Sequence, residues 1–294
     1  MKKVLLTGGS GFIGRNILES YLAEKYEILA PSHREMDATD DAAVDAWFKG
    51  NSVDCILHAA TKPGHRNAKD PTNIFYSNTR MYFNLARHAP EVERMIVLGS
   101  GAIYDMRYYY PKMREEAYGE HVPADDLGFS KYVCEKHLES SDNIVDLRIF
   151  GIYGKYEDYS IRFVSNMVCK ALFDLPLTIK QNRKFDYVCV DDLFPVIDSF
   201  LSAGPKYKSY NVTPDDSVEL VLIAEKVLDA AGKKLPIRVT AQGMGLEYSG
   251  SNSRLASEFA WYRTTPIGEG IRTLLAWYAS RLGDIDRNSL LVDK

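Results

Sequence analysis

KVLLTGGSGFIG, residues 3–14, joins a short apolar run to a glycine cluster and the start of a helix. The apolar run predicts a strand, and the apolar residues after the cluster recur at helical spacing. Gly8, Gly11 and Gly14 form the pattern G-x-x-G-x-x-G between them. In this context one glycine makes the strand-to-helix turn, another lets the backbone approach a pyrophosphate, and the last lets helix and strand pack closely. The stretch therefore predicts a dinucleotide-binding loop at a helix N-terminus.

Predicted strands and helices alternate outward from this loop as far as Gly154. The strands are YEILAP, VDCILHAA, RMIVLGS and IVDLRIFGIYG, with a helix between each pair. This alternation is typical of a Rossmann-type, doubly wound parallel α/β sheet. The pattern becomes irregular after Gly154. We therefore expect a dinucleotide-binding Rossmann domain over residues 1–154. Residues 155–294 are expected to form a smaller, mixed α/β part that is mainly substrate-binding, with some return segments completing the first domain.

Composition excludes several classes of partner. The 294 residues are 46% hydrophobic and 26% charged, which is typical of soluble globular proteins. A net charge of −4 gives no electrostatic case for nucleic acid. No apolar run approaches the roughly 20 residues that span a bilayer, and the N-terminal run is shorter than a secretory signal requires. We expect a cytoplasmic protein with no membrane partner. No metal site or disulfide framework is indicated by the scattered cysteines Cys55, Cys134, Cys169 and Cys189.

The glycine spacing resembles that of the extended short-chain dehydrogenase/reductase superfamily, the NAD-dependent epimerase/dehydratase family, whose members mostly act on nucleotide sugars. The segments ILHAA, VLGSGAIYD, LRIFGIYG, VCVDDL and YNVT are similar to family landmarks and follow in the same order. The resemblance runs from residue 1 to about residue 282. Within the family, SHREMDATD, AATKPG and LGSGAIY resemble the GDP-fucose synthase-like nucleotide-sugar 4-ketoreductases. This resemblance implies a nucleotide-sugar substrate.

The resemblance also implies which residues hold the dinucleotide. They are the loop residues Gly8, Gly11, Phe12, Ile13 and Gly14, then Asp37 at the adenine, Ala59 and Ala60 beside the pyrophosphate, and Lys131 at the nicotinamide ribose.

The end of the second strand favours NADP(H), with NAD left open. NAD-selective sites usually place a carboxylate there to bind the ribose 2′-hydroxyl. This chain has Pro-Ser-His-Arg instead, so Ser32 and Arg34 are candidates to hold a 2′-phosphate. The alternative is that Arg34 is a solvated loop residue paired with Glu35.

The resemblance implies a catalytic tyrosine four residues before a lysine, with a serine bound to the same substrate oxygen. Ser100 matches the serine and Lys131 matches the lysine, while Asn78 matches an asparagine of a family helix. Leu127 occupies the tyrosine position and can neither give nor take a proton. Leu127 is therefore an engineered replacement, a natural loss for which another acid substitutes, or the mark of a protein that binds cofactor without turnover.

Helix geometry argues against a dyad shifted to Tyr132 and Lys136. Tyr132 comes five residues after Leu127, so on a helix it would lie about 140° around the axis from Leu127 and about 7.5 Å further along. Ser100 belongs to another segment and would not move with a shifted dyad. Other conceivable substitutes for the missing acid, none with a positional reason, are Tyr104, Tyr118 and the tyrosines at 108–110.

Departures from the family pattern narrow the reaction. Sugar 4,6-dehydratases carry Thr-Asp-Glu where this chain has Ser-Gly-Ala at 100–102, which argues against dehydration. Ala102 replaces the cysteine that the resemblance implies for epimerisation beside the ketone, and no histidine stands at 161–162. Redox chemistry at C4 remains, either 4-keto reduction or 4-epimerisation.

The substrate phosphates are expected at arginines of the C-terminal part. Phe185 replaces the arginine that the family usually has there, so Arg162 and Arg183 are the candidates. The enzyme hypothesis competes with a catalytically impaired NADP(H)-binding module that senses or scaffolds.

A homodimer is expected through the helices around NIFYSNTRMYFNLARHA and GFSKYVCEKHLES, as the resemblance implies. Ile74, Tyr82 and Val133 place apolar groups on several faces of these helices. The alternative is that both helices are buried within one chain.

Overall fold

The computed structural model describes residues 1–64 and 70–291, so residues 292–294 of the predicted second part lie outside it. The strands are β1 Lys3–Thr7, β2 Glu27–Leu29, β3 Cys55–His58, β4 Arg94–Ser100, β5 Ile144–Ile149, β6 Gly151–Tyr153, β7 Leu177–Asn182, β8 Lys184–Phe185, β9 Tyr187–Cys189, β10 Ser209–Val212, β11 Val218–Glu219 and β12 Ile237–Met244. The helices are α1 Phe12–Leu18, α2 Leu22–Lys25, α3 Asp41–Gly50, α4 Ile74–Ala86, α5 Asp126–Leu138, α6 Phe163–Leu172, α7 Leu193–Ser202, α8 Leu220–Ala231, α9 Ser253–Glu258 and α10 Ile267–Ala279.

Six parallel strands form the central sheet in the order β10-β5-β4-β3-β1-β2. Successive residues of β1 point to opposite faces, since Val4 and Leu6 join one apolar core and Leu5 joins another. The first core also contains Ile17 of α1 and Phe200 of α7. Residues of α3, α4 and α5 fill the second core. Helices therefore cover both faces of the sheet, which confirms the doubly wound α/β fold.

Side-chain and glycine caps set the ends of several helices. The Asp40 carboxylate accepts hydrogen bonds from the amides of Ala42 and Ala43, which starts α3. Asp125 starts α5 in the same way, because its carboxylate accepts from the Gly128 amide at 2.9 Å. Helix α8 ends at Ala231, and the next residue, Gly232, caps it with a φ of +65° in the left-handed region.

The C-terminal half has its own core, in which α6, α8 and α10 pack together. Short strand pairs border it, β6 with β9 and β7 with β12, both parallel. Two segments of this half return to the first sheet. Strand β10 pairs with β5 at its edge, and α7 packs against its first core. The segments that follow β9 and β12 approach the carboxyl ends of the sheet strands, where the candidate site lies.

Over residues 1–64 and 70–291, no helix has the length and apolar character to cross a bilayer. The same residues contain no cluster of three or more His, Cys, Asp or Glu side chains that could hold a metal ion. All four cysteines lie within the described residues, where they are buried and unpaired.

Candidate active site

Gly8 and Gly14, on either side of the loop between β1 and α1, have no room for a side chain. Gly8 has a φ of +74°, and a Cβ there would lie 2.8 Å from the Cα of Ala60. A Cβ at Gly14 would collide with the carbonyl oxygen of Gly8. The loop is closed by a hydrogen bond of 2.9 Å from the Gly11 amide to that same carbonyl. These contacts form a cradle that fits the pyrophosphate of a dinucleotide.

Helix α1 begins directly after the cradle at Phe12, and no side chain caps it. The backbone amides of its first turn, including those of Phe12 and Ile13, therefore have no intrahelical acceptor. The Ala60 amide donates to the Thr7 hydroxyl at 3.3 Å, which fixes Ala59 and Ala60 against the loop. An anion at this position would meet N–H groups on the helix side.

The loop after β2 leaves its arginine exposed. The Glu35 carboxylate accepts a hydrogen bond of 2.7 Å from the Ser32 amide, and this bond lowers the pKa of Glu35. Arg34 is exposed and makes no ion pair with any residue in the described ranges. The alternative Arg34–Glu35 pair is therefore not formed. Asp37 accepts from the Thr39 amide at 2.8 Å and from its hydroxyl at 2.7 Å.

Asn78 of α4 holds the loop that follows β3. Its side-chain oxygen accepts from the Lys62 amide at 2.8 Å and from the Thr61 hydroxyl at 3.3 Å. Its side-chain nitrogen donates to the Lys62 carbonyl at 3.0 Å. The side chain is buried. The contacts within the described chain are those of a residue that positions this loop beside the glycine cradle.

Helix α5 brings Leu127 and Lys131 to the carboxyl ends of β3 and β4. A Cβ at Gly128 would lie 2.5 Å from the Ala102 carbonyl oxygen, so the first turn of α5 packs on the turn after β4. Leu127 packs on the loop after β3. A Cβ placed on Gly64 of this loop would lie 2.7 Å from the Cβ of Leu127. One turn later, Lys131 is half-buried. Burial and the Lys131 ammonium together lower the pKa of His58, at the end of β3, to about 3.

Ser100 ends β4, and its hydroxyl accepts a hydrogen bond of 3.1 Å from the Ala102 amide. Beside it lies Tyr248, which sequence reasoning missed. A Cβ at Gly101 would lie 2.6 Å from the Tyr248 hydroxyl oxygen. Burial raises the pKa of Tyr248 well above its usual range, and the nearby Ser100 hydroxyl opposes part of that rise. No motif marks Tyr248, because its proximity to Ser100 arises only from the folded chain.

The other candidate tyrosines are committed elsewhere. Tyr104 donates to the Asn211 side chain at 2.9 Å and accepts from Arg148 at 2.7 Å. Tyr118 donates to the Tyr132 carbonyl at 2.9 Å. Tyr109 is the one member of the 108–110 cluster that reaches the Ser100 segment, and it donates to the Gly101 carbonyl at 3.3 Å. Lys136, the second residue of the shifted dyad, is exposed and pairs with Glu139 at 3.1 Å.

The two candidate phosphate-binding arginines lie around Tyr187. Arg162 immediately precedes α6, and Arg183 lies between β7 and β8. Burial raises the pKa of Tyr187, and the charges of both guanidinium groups oppose that rise, so both lie within electrostatic range of its hydroxyl. Phe185 stacks on the Tyr187 ring with a centroid distance of 4.9 Å. The structure thus gathers two cations and two aromatic rings in one region of the C-terminal half.

Comparison with known proteins agrees with this architecture. The GDP-L-colitose synthase of Yersinia pseudotuberculosis is 22% identical over 92% of this chain and 95% of its own length. The GDP-L-fucose synthetase of Naegleria fowleri, solved with NADP, has a TM-score of 0.82 at 14% identity and covers 96% of this chain and 95% of its own. The GDP-mannoheptose C4 reductase of Campylobacter jejuni, also solved with NADP, has a TM-score of 0.78 at 17% identity, covering 94% and 98%. At these identities the structural likeness shows the fold.

A family match covers the glycine cradle, α5 and the return strand β10. It spans residues 4–213, well over half of the chain. The chain therefore belongs to the NAD dependent epimerase/dehydratase family.

Proposed function

We propose that this chain is an NADP(H)-dependent oxidoreductase that reduces the 4-keto group of a nucleotide sugar. The observation that carries the proposal is that α5, which bears Lys131, packs on the turn that follows Ser100 at the carboxyl end of β4, with the Lys131 charge reaching His58 at the end of β3. The names of the relatives are in keeping with it, since they include a GDP-L-colitose synthase and a GDP-mannoheptose C4 reductase.

The cradle residues would hold the dinucleotide, with Ala59, Ala60 and Asp37 flanking it and Lys131 at the nicotinamide ribose. When bound, the reduced dinucleotide supplies a hydride. The exposed Arg34 and the neighbouring Ser32 would hold a 2′-phosphate, which supports NADP(H) over NAD. Ser100 would donate a hydrogen bond to the sugar oxygen. Arg162 and Arg183 would bind the diphosphate of the substrate.

We also propose a cytoplasmic homodimer that associates through α4 and α5. Ile74 and Tyr82 are buried within the chain, so they do not supply the interface. Tyr76 and Phe129 do offer apolar surface, since they are 59% and 39% exposed. A single monomeric species in sedimentation at tens of micromolar would contradict the dimer.

Leu127 favours a second function, a binding module that holds NADP(H) without turnover. Its side chain packs on the Gly64 loop and offers no proton at the position where the family pattern implies a tyrosine.

Steady-state assays with NADPH and a panel of 4-keto nucleotide sugars separate the two functions. A reductase oxidises NADPH in step with the formation of a reduced sugar nucleotide. A binding module binds NADPH and leaves every sugar unchanged.

A further inference from the structure

We propose that Tyr248 supplies the proton that position 127 cannot, so that the acid of this site comes from the C-terminal half of the chain. The inference rests on the proposed 4-keto reductase function and adds the residue that completes it.

The first support is the position of the Tyr248 hydroxyl. It lies 2.6 Å from the place that a Cβ on Gly101 would occupy, one residue beyond Ser100. The hydroxyls of Ser100 and Tyr109 lie near it and interact with it electrostatically. A substrate oxygen bound by Ser100 would therefore lie near the Tyr248 hydroxyl, which is the placement that a general acid requires.

The second support is how firmly the residue is held. The Tyr248 amide donates to the Lys184 carbonyl at 3.0 Å, and its carbonyl accepts from the Asp186 amide at 3.2 Å. The Tyr248 ring packs against Tyr109, Phe150 and Phe185 with centroid distances of 4.9, 4.9 and 4.7 Å. These contacts fix both ends of the side chain, so the hydroxyl is positioned before substrate binds.

Asp186 anchors the segment that follows Tyr248. Its buried carboxylate accepts a hydrogen bond of 2.8 Å from the Gly250 amide, two residues after the tyrosine. Asp186 is a positioning residue because it acts on Tyr248 through the backbone.

Tyr109 is the other phenol near Ser100, and it is a weaker candidate. Its hydroxyl already donates to the Gly101 carbonyl. Tyr248 has two hydroxyl neighbours, and a hydroxyl can either accept or donate. It can therefore turn its proton toward a substrate without losing a backbone hydrogen bond.

The chemistry is a balanced two-electron reduction. When bound, NADPH would supply a hydride to C4, and the electron pair of the carbonyl π bond would move to the sugar oxygen. The O–H bond of Tyr248 would break and its proton would complete the new hydroxyl. A proton from solvent would then return to the phenolate, so that the net reaction consumes one NADPH and one proton and yields NADP⁺.

Burial also keeps the Tyr248 phenol in its protonated form, because it raises the pKa of this group well above its usual range. A protonated phenol carries the proton that the reduction needs.

The test compares Tyr248→Phe with Tyr132→Phe. Phenylalanine keeps the ring that packs in the aromatic cluster, and the melting temperature checks folding. Tyr132 lies on α5, and its ring packs at a tilt against Tyr118 with a centroid distance of 5.1 Å. We expect Tyr248→Phe to lower kcat by about 10²–10⁴-fold while the Kd for NADPH stays unchanged. Tyr132→Phe is expected to retain wild-type kcat.

A rescue variant makes the test specific. Adding Leu127→Tyr to Tyr248→Phe is expected to recover at least tenfold of the lost kcat, because the phenol would lie one helical turn before Lys131. A Tyr248→Phe protein with wild-type kcat would overturn the assignment of Tyr248 and leave the reductase function standing. A wild-type protein that binds NADPH but reduces no 4-keto sugar would overturn the function itself.

Discussion

The guanidinium of Arg148 contacts the carboxylate of Glu135 at 2.6 Å, and their side chains are 1% and 4% exposed. This pair joins β5 to α5. A second carboxylate, that of Asp146, lies 3.4 Å from the same guanidinium. The guanidinium also donates a hydrogen bond of 2.7 Å to the Tyr104 hydroxyl. The charge of the Arg148 guanidinium therefore stabilises two buried carboxylates, those of Glu135 and Asp146.

Replacing Arg148 by methionine should destabilise the fold strongly, because Glu135 and Asp146 would be left buried without their cation. Breaking a buried pair in this way costs about 3–5 kcal/mol. The free energy of unfolding in urea measures it. Lys136→Ala removes the exposed pair with Glu139 one residue along the same helix, and such surface pairs are worth about 0–1 kcal/mol. Equal losses in the two variants would contradict the structural role of Arg148.

Gly14→Ala should abolish dinucleotide binding. Its Cβ would collide with the Gly8 carbonyl oxygen, so the cradle must open to admit it. Gly50→Ala is the matched control, because a Cβ there would meet no atom of the described chain within 4 Å. Isothermal titration with NADPH compares the two variants. Undiminished affinity in Gly14→Ala would place the pyrophosphate somewhere else.

Arg34→Ala should lower the preference for NADPH over NADH. A hydrogen bond to a charged group contributes about 1.5–3 kcal/mol, so the loss should be roughly 10- to 100-fold in the Kd for NADPH, with little change for NADH. Arg238→Ala removes another exposed arginine, on β12, and should leave both values unchanged. If the wild type binds NADH more tightly than NADPH, the Ser32 and Arg34 site does not select a 2′-phosphate.

Stability should fall as pH rises through neutrality, in part because of Glu157. Burial raises the pKa of this carboxyl to about 7, against an ordinary value of about 4.3, although a hydrogen bond from Ser165 and the charge of Arg162 oppose the rise. The folded state therefore holds the proton more tightly. Its stabilising effect is fully present below about pH 4 and is lost as pH rises through about 7.

Glu157→Gln should flatten that part of the curve of melting temperature against pH, because a neutral side chain has no proton to lose. Glu225→Gln, on the exposed face of α8, should leave the curve as in the wild type. A wild-type curve that rises between about pH 5 and 8, with no change in slope in Glu157→Gln, would contradict the prediction.

Local sequence patterns predict most of the fold and part of the candidate site. The strand, glycines and helix of residues 3–14 are adjacent in sequence, so the cradle could be predicted from them. The same is true of Leu127 and Lys131, which are one helical turn apart on α5.

Contacts between distant parts of the chain could not be predicted. Tyr248 approaches Gly101 only after the C-terminal half has folded against the sheet, and no residue spacing encodes that approach. The partner of Glu35 was also missed, because the Ser32 amide and Arg34 both lie within three residues of Glu35 and the loop conformation decides between them.

Transfer of deuterium from labelled NADPH tests the central claim most directly. The wild-type protein is mixed with a 4-keto nucleotide sugar and with NADPH in which both hydrogens at the reduced nicotinamide carbon are deuterium, and the product is analysed by NMR. The account predicts one deuterium at C4 of the sugar for each NADPH oxidised, in a single C4 epimer. Bound NADPH that is never oxidised, or a sugar that changes its C4 configuration with no net loss of NADPH, would contradict it.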